Sequence, residues 1–104
     1  MEARTDLFRR MLEKNPADTR ALFGLAIEYE KAADWTNAAH TLRRYLDHAD
    51  DQGNAWGRLA AALMKLGRTD EAKDAYEKGI AAARRHGHPS MAMEFEESLA
   101  ELDE

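Results

Sequence analysis

The chain repeats its own pattern of residue sizes at an offset of 34 residues. At this offset Leu25 aligns with Leu59 and Ala38 aligns with Ala72, so large residues match large ones and small residues match small ones. A fixed period of this length indicates an array of units, each of which buries its apolar face against its neighbour. A chain of 104 residues has room for little besides such an array.

Apolar residues within each unit recur at spacings of three and four, which is the period of an amphipathic α-helix. Leu22, Leu25 and Tyr29 lie on one such stripe in the first unit. Gly67 and Gly87 are typical of residues that end a helix. We predict six helices, at residues 3–14, 19–32, 36–49, 54–66, 70–86 and 90–102.

The second unit has large, small and turn residues at characteristic places, beginning with a W-x2-L pattern. These residues are Trp56, Leu59, Ala60, Gly67, Ala72 and Tyr76. Together the period and the pattern resemble the tetratricopeptide repeat family. The resemblance implies an all-α fold, a right-handed α-solenoid of antiparallel helix pairs with about six helices and a C-terminal capping helix. Ala33 stands where that family usually has glycine, and a left-handed conformation there would cost about 1 to 2 kcal/mol.

We predict a single tetratricopeptide-like domain over residues 1–104. Stepping back 34 residues from Leu42 and Leu46 reaches Phe8 and Leu12, so the array is expected to begin in mid-repeat. The segments are a partial repeat at 1–18, a first repeat at 19–52, a second repeat at 53–86 and a capping helix at 87–104.

In the tetratricopeptide repeat family the first helix of each unit lines a concave groove that holds an extended or helical peptide. The resemblance implies the same groove here, with residues assigned by register. In the first unit they are Arg20, Phe23, Gly24, Ile27, Glu30 and Lys31, and in the second Asn54, Gly57, Arg58, Ala61, Met64 and Lys65. An apolar floor with cationic residues suits an acidic amphipathic segment of a partner protein.

Three features of this groove bear on its ligand. Phe23 and Ile27 stand where one subgroup of the family has the Lys and Asn that clamp chaperone tails, so such a tail is disfavoured. Gly24 and Gly57, in mid-helix, would let a ligand backbone approach. The alternative is that Phe23 and Ile27 pack against the N-terminal helix or the cap, and the residues leave both interpretations open.

The last helix is predicted to be a solvating cap. Its apolar stripe consists of Met91, Phe95, Leu99 and Leu102, and its acidic residues lie mostly on the other side. Strict repeat register would direct Phe95 into the groove, whereas the periodicity of its own helix places it on the buried stripe. We follow the periodicity.

Composition and motifs exclude several other functions. The net charge of −5 argues against nucleic acid as a partner. No stretch approaches the roughly 18 apolar residues that a membrane span needs, and without cysteine there is neither a disulfide nor a thiolate zinc site. The histidine pairs, His40 with His48 and His86 with His88, lack metal-ligand spacing. No catalytic motif is present.

The sequence therefore predicts a cytoplasmic adaptor that binds a protein or peptide, is not an enzyme and uses no cofactor or metal. It is expected to be a monomer or a weak homodimer. The alternative is a structural module that self-associates through its terminal helices, using the outer face of the helix that carries Phe8 and Met11.

Overall fold

A computed structural model describes residues 3–103 of the chain. Six α-helices and no β-strand occur among these residues. The helices are α1 Arg4–Lys14, α2 Thr19–Lys31, α3 Trp35–His48, α4 Asn54–Lys65, α5 Thr69–Arg85 and α6 Pro89–Leu102. The predicted ends agree with these bounds to within one residue, and the all-α prediction is confirmed.

The chain divides into two compact units after Ala49. The first unit contains α1 to α3 and the second contains α4 to α6. The division lies close to the predicted boundary between the repeats at residues 52 and 53. The assignment of the four predicted segments to one domain stays a prediction.

The core of the first unit forms where α2 packs against α1 and α3. Leu22 is fully buried there, as its place on the apolar stripe predicts. The other buried members of this cluster are Leu12, Ala21 and Leu25, and the half-buried residues packed around them are Phe8, Met11, Tyr29 and Tyr45.

The turn between α2 and α3 has a backbone conformation that usually requires glycine, but the residue there is Ala33. Ala33 has a φ of 55°, in the left-handed region, and the amide of Asp34 donates to the carbonyl of Tyr29 at 2.9 Å. Thirty-four residues later Gly67 has a φ of 73°, and the same type of hydrogen bond closes the turn after α4. Register thus predicted the turn correctly, and the left-handed backbone at Ala33 costs about 1 to 2 kcal/mol.

In the second unit α5 packs against both α4 and α6. Met91, Phe95 and Leu99 of α6 contact a buried cluster formed by Ile80, Ala83 and Ala92. This confirms the buried-stripe assignment for those three residues, and Leu102 is half-buried. Ion pairs also join α6 to α5, one between Lys73 and Asp103 at 2.7 Å and another between Arg84 and Glu96.

The segment before α4 is held by the turn between α5 and α6. The Asp51 carboxylate accepts hydrogen bonds from the amides of Gly53 at 2.8 Å and Ala55 at 2.9 Å, which satisfies donors at the start of α4. Asp50 contacts Arg85 at 2.7 Å and His86 at 3.2 Å. These contacts fasten the loop to the end of α5.

We expect the contacts of Asp50 with Arg85 and His86 to make stability depend on pH in the acid range. The His86 imidazole and then the Arg85 guanidinium hold the pKa of Asp50 below its ordinary value. A carboxylate with a lowered native pKa stabilises the fold above its unfolded pKa of about 3.9, and this contribution is lost as pH falls through the native pKa.

We therefore expect Asp50→Asn to lose less stability than the parent protein between pH 7 and pH 3, a range spanning the pKa of about 3.9 for an ordinary aspartate. Urea unfolding of both proteins at several pH values measures the difference. Parallel stability profiles would show that the contacts of Asp50 do not contribute.

Candidate functional site

The predicted groove residues of the first unit lie on a face of α2 that the core leaves partly open. Phe23, Gly24 and Ile27 are half-buried, whereas Arg20 and Lys31 are exposed. An open cavity of about 360 Å³ is lined by Thr19, Arg20, Phe23, Gly24 and Tyr45. The structure therefore brings Arg20, Phe23 and Gly24 together in one cavity.

The ring of Phe23 packs against the aromatic side chain of Tyr45 on α3. The rings of Phe23 and Tyr45 lie 5.2 Å apart at their centroids and are tilted by 52°. Tilted ring pairs of this kind are favourable. Tyr45 lies on α3, whereas the alternative interpretation placed Phe23 against the N-terminal helix or the cap.

Gly24 has a different role from the one its sequence position suggested. A Cβ at position 24 would lie 2.5 Å from Cζ of Phe8, so the Phe8 ring of α1 lies directly over the glycine. The guanidinium of Arg4 lies 5.5 Å from the centre of the same ring. The space above Gly24 that was predicted for a ligand backbone is filled by the chain itself, because absence of a side chain lets α1 approach α2 closely.

The second unit repeats this arrangement with a ring from the other terminal helix. A Cβ at Gly57 would lie 2.6 Å from Cζ of Phe95, which also approaches Gly79. The expectation of room for a ligand backbone at Gly57 is therefore wrong as well. Both mid-helix glycines serve close packing of a phenylalanine from a neighbouring helix.

A second cavity lies between α4 and α6 and is only partly the one predicted. Its volume is about 330 Å³, and its lining includes Asn54, Gly57, Arg58 and Ala61 from the predicted set, together with Met91, Glu94 and Phe95 of α6. Met64 and Lys65 do not line it; Met64 is half-buried and Lys65 is exposed. Strict repeat register had indicated that Phe95 lies in the groove. Phe95 packs on the buried cluster of the second unit and also lines this cavity.

The charges of the two cavities differ. Arg20 is the charged residue of the first lining, whereas the second contains both Arg58 and Glu94. The groove was predicted to combine an apolar floor with cationic residues, and Glu94 adds an acidic residue that was not predicted there. The predicted preference for an acidic ligand thus has its clearest physical basis in the first unit.

A further open cavity of about 470 Å³ in the first unit was not predicted from the sequence. Its lining is mixed and includes Arg9, Tyr29, His40 and Arg44. Arg9 donates a hydrogen bond of 2.9 Å to the Tyr29 hydroxyl. Sequence register offered no signal for this cavity, because it depends on how three helices meet.

Neither a metal centre nor a membrane segment is found in residues 3–103. No three His, Cys, Asp or Glu side chains among them are grouped so as to hold a metal ion. No helix in this range combines the length and apolar character required to cross a bilayer.

Comparison with known proteins agrees with the helix pairs and their spacing. A family model described as tetratricopeptide repeat matches residues 29–93. The chain is 31% identical over 94 residues to the TPR repeat-containing protein PA0015 of Pseudomonas aeruginosa, a match that covers 90% of each protein. The chain belongs to the tetratricopeptide repeat family. Tetratricopeptide repeat domains generally mediate protein–protein interaction and are generally non-enzymatic scaffolds.

Solved structures show the same tetratricopeptide repeat fold. The solution structure of protein BPP2914 from Bordetella parapertussis is similar with a TM-score of 0.79 and 28% identity, over 99% of this chain and 90% of that one. MamA MSR-1 is similar with a TM-score of 0.66 and 22% identity, over 95% of this chain and 65% of that one. At the identity of MamA the likeness concerns the fold alone.

Proposed function

We propose that this tetratricopeptide repeat chain is an adaptor, without enzymatic activity, whose α2 face in the first unit and α4 face in the second each contact a peptide or helical segment of a partner protein. The proposed contact residues are Arg20, Phe23, Ile27 and Lys31 on α2, and Asn54, Arg58, Ala61, Met64 and Lys65 on α4. Gly24 and Gly57 belong to the same faces but lie beneath the rings of Phe8 and Phe95. As is often so in this family, we place the protein in the cytoplasm.

The observation that carries the proposal is the half-buried ring of Phe23 in an open cavity. One side of the ring contacts Tyr45 and is thereby held in place, while the ring also lines the cavity beside Arg20. A rigid aromatic surface next to a cation is typical of the residues that dominate binding at protein interfaces. It suits a ligand with an apolar side chain and a neighbouring carboxylate.

The two glycines act indirectly in this proposal. Phe8 lies over Gly24 and Phe95 lies over Gly57. Phe95 also lines the second cavity, so a ligand there is expected to contact this ring rather than the backbone of Gly57. Glu94 in the second cavity favours a neutral or basic position of the ligand there. The proposed ligand is therefore an amphipathic segment whose acidic position lies at Arg20.

The partner can be captured from a lysate of the source organism on the immobilised protein and identified by mass spectrometry. Its binding segment, made as a peptide, is then titrated against variants. We expect Phe23→Ala to weaken binding by about 1 to 3 kcal/mol, chiefly through faster dissociation, because it removes an anchor. Arg20→Glu should slow association and reduce its dependence on salt.

Arg43→Glu on α3 is the matched control for Arg20→Glu, because both residues are exposed and the charge change is the same. Since Phe23 also contacts Tyr45, all titrations are made below the melting transition of the variants. A captured segment that binds the Phe23→Ala and Arg20→Glu variants as tightly as the parent protein would refute this site.

A further inference from the structure

The two outermost helices correspond to different halves of the repeat. Phe8 of α1 aligns at successive offsets of 34 residues with Leu42 of α3 and Tyr76 of α5, so α1 has the register of a second helix. Met93 of α6 aligns in the same way with Leu25 of α2 and Leu59 of α4, so α6 has the register of a first helix. The complete units pair a first helix with a second.

Each of these helices exposes a large apolar residue at a register position that is buried elsewhere. Leu7 is 41% exposed, although the equivalent Thr41 and Ala75 are 3% and 2% exposed. Met93 is 60% exposed, although the equivalent Leu25 and Leu59 are 4% and 0% exposed. Leu7 and Met93 are the exposed large hydrophobic residues of the part of the chain that the structure describes. Both lie where a complete helix pair has its packed residues.

The surroundings of these two residues carry opposite charge. Leu7 and Met11 lie with Arg10 and Lys14 along one stripe of α1, around a small apolar cavity of about 140 Å³. Met93 lies on a helix whose charged residues are all acidic, and the exposed ones are Glu94, Glu96, Glu97 and Glu101. Two basic α1 faces would repel each other, and so would two acidic α6 faces. An α1 face and an α6 face would attract each other, because their charges are opposite.

We propose that α6 of one copy packs against α1 of a second copy, so that a first-type and a second-type helix form an additional repeat-like pair between molecules. Met93 then contacts Leu7 and Met11, and the glutamates of α6 lie near Arg10 and Lys14. This inference goes beyond peptide binding and does not depend on it, because Leu7, Met11 and Met93 lie outside the proposed groove.

The contact joins two different faces, and therefore does not close on itself as a two-fold dimer does. The dimer keeps one unused α1 face and one unused α6 face, so association extends past the dimer as concentration rises. A contact between single helices is small, and part of its attraction is between exposed charges. The association is therefore weak and decreases with salt.

The test uses sedimentation equilibrium of the full chain over a range of concentrations at low and high salt. The parent protein should gain average mass with concentration at low salt, and less so at high salt. Leu7→Glu places an acid on the basic face, and Met93→Lys places a base on the acidic face. Each variant alone should associate at least about tenfold more weakly than the parent.

Mixing the two variants distinguishes this contact from every symmetric one. The Leu7→Glu copy retains its α6 face and the Met93→Lys copy retains its α1 face, so a mixture of the two should regain the association that each variant alone loses. A symmetric α1 contact would persist in Met93→Lys alone, and a symmetric α6 contact in Leu7→Glu alone. Either result, or a parent protein that stays monomeric at all concentrations and salts, overturns the proposal.

Folding and groove binding are controlled separately. Both substituted side chains are exposed, so melting curves of the variants in dilute solution should match that of the parent. If either variant unfolds, Arg10→Glu and Glu97→Lys replace the pair with the same expected pattern. Phe23→Ala should self-associate as the parent does, which separates failure of this contact from failure of the peptide site.

Discussion

Replacing Phe95 with alanine is expected to lower the free energy of unfolding by about 2 to 4 kcal/mol, somewhat less than for a fully buried phenylalanine. The ring covers Gly57 and Gly79, and its centroid lies 5.9 Å from that of Tyr76. It also packs on the cluster formed by Ile80, Ala83 and Ala92. The substitution leaves a void among three helices that backbone movement fills only in part.

The matched control for Phe95→Ala is Met93→Ala on the same helix. Met93 is 60% exposed, so its loss should change the unfolding free energy by no more than about 0.5 kcal/mol. Guanidinium unfolding in dilute solution measures both. If the two variants are equally stable, α6 does not cover the second unit as the structure describes, and the capping role fails.

Replacing Leu22 with alanine is expected to lower the free energy of unfolding by about 2 to 5 kcal/mol, because its side chain is fully buried at 0% exposure. Leu22 lies in the core of the first unit with Leu12 and Leu25. The loss removes apolar burial and leaves a cavity, since neighbouring side chains relax only partly.

Leu7→Ala is the matched control for Leu22→Ala, because it makes the same chemical change in the same unit at a residue that is 41% exposed. Its effect should be less than about 1 kcal/mol. Thermal and urea unfolding in dilute solution compare the two. A Leu22→Ala protein as stable as Leu7→Ala would mean that the 34-residue register assigns the wrong residues to the core.

The helix ends were predictable because the chemistry that ends a helix is local. Asp18 caps α2 by accepting a hydrogen bond from the amide of Ala21 at 3.1 Å, and Gly67 and Gly87 adopt positive φ after α4 and α5. The unusual turn at Ala33 was predictable as well, because the repeat aligns it with Gly67. Such signals lie within a few residues of the feature they determine.

Burial of small residues was also predictable. Ala38, Ala60 and Ala72, which the repeat placed at helix contacts, are each 0% exposed. A small residue that recurs at the fixed offset indicates a helix contact, because equivalent positions of two repeats pack in the same way. The sequence of a single helix does not give this information.

The groove required the tertiary structure. Gly24 and Gly57 were interpreted as room for a ligand, yet rings from α1 and α6 lie over them. Met91 and Glu94 line the second cavity although they were not predicted to, whereas Met64 was predicted to line it and does not. The helices, their ends, the repeat and the face on which each side chain lies could all be predicted from the sequence. Which distant helix covers a given face, and how closely, depends on the tertiary structure, because periodicity specifies direction around one helix axis and not the separation between axes.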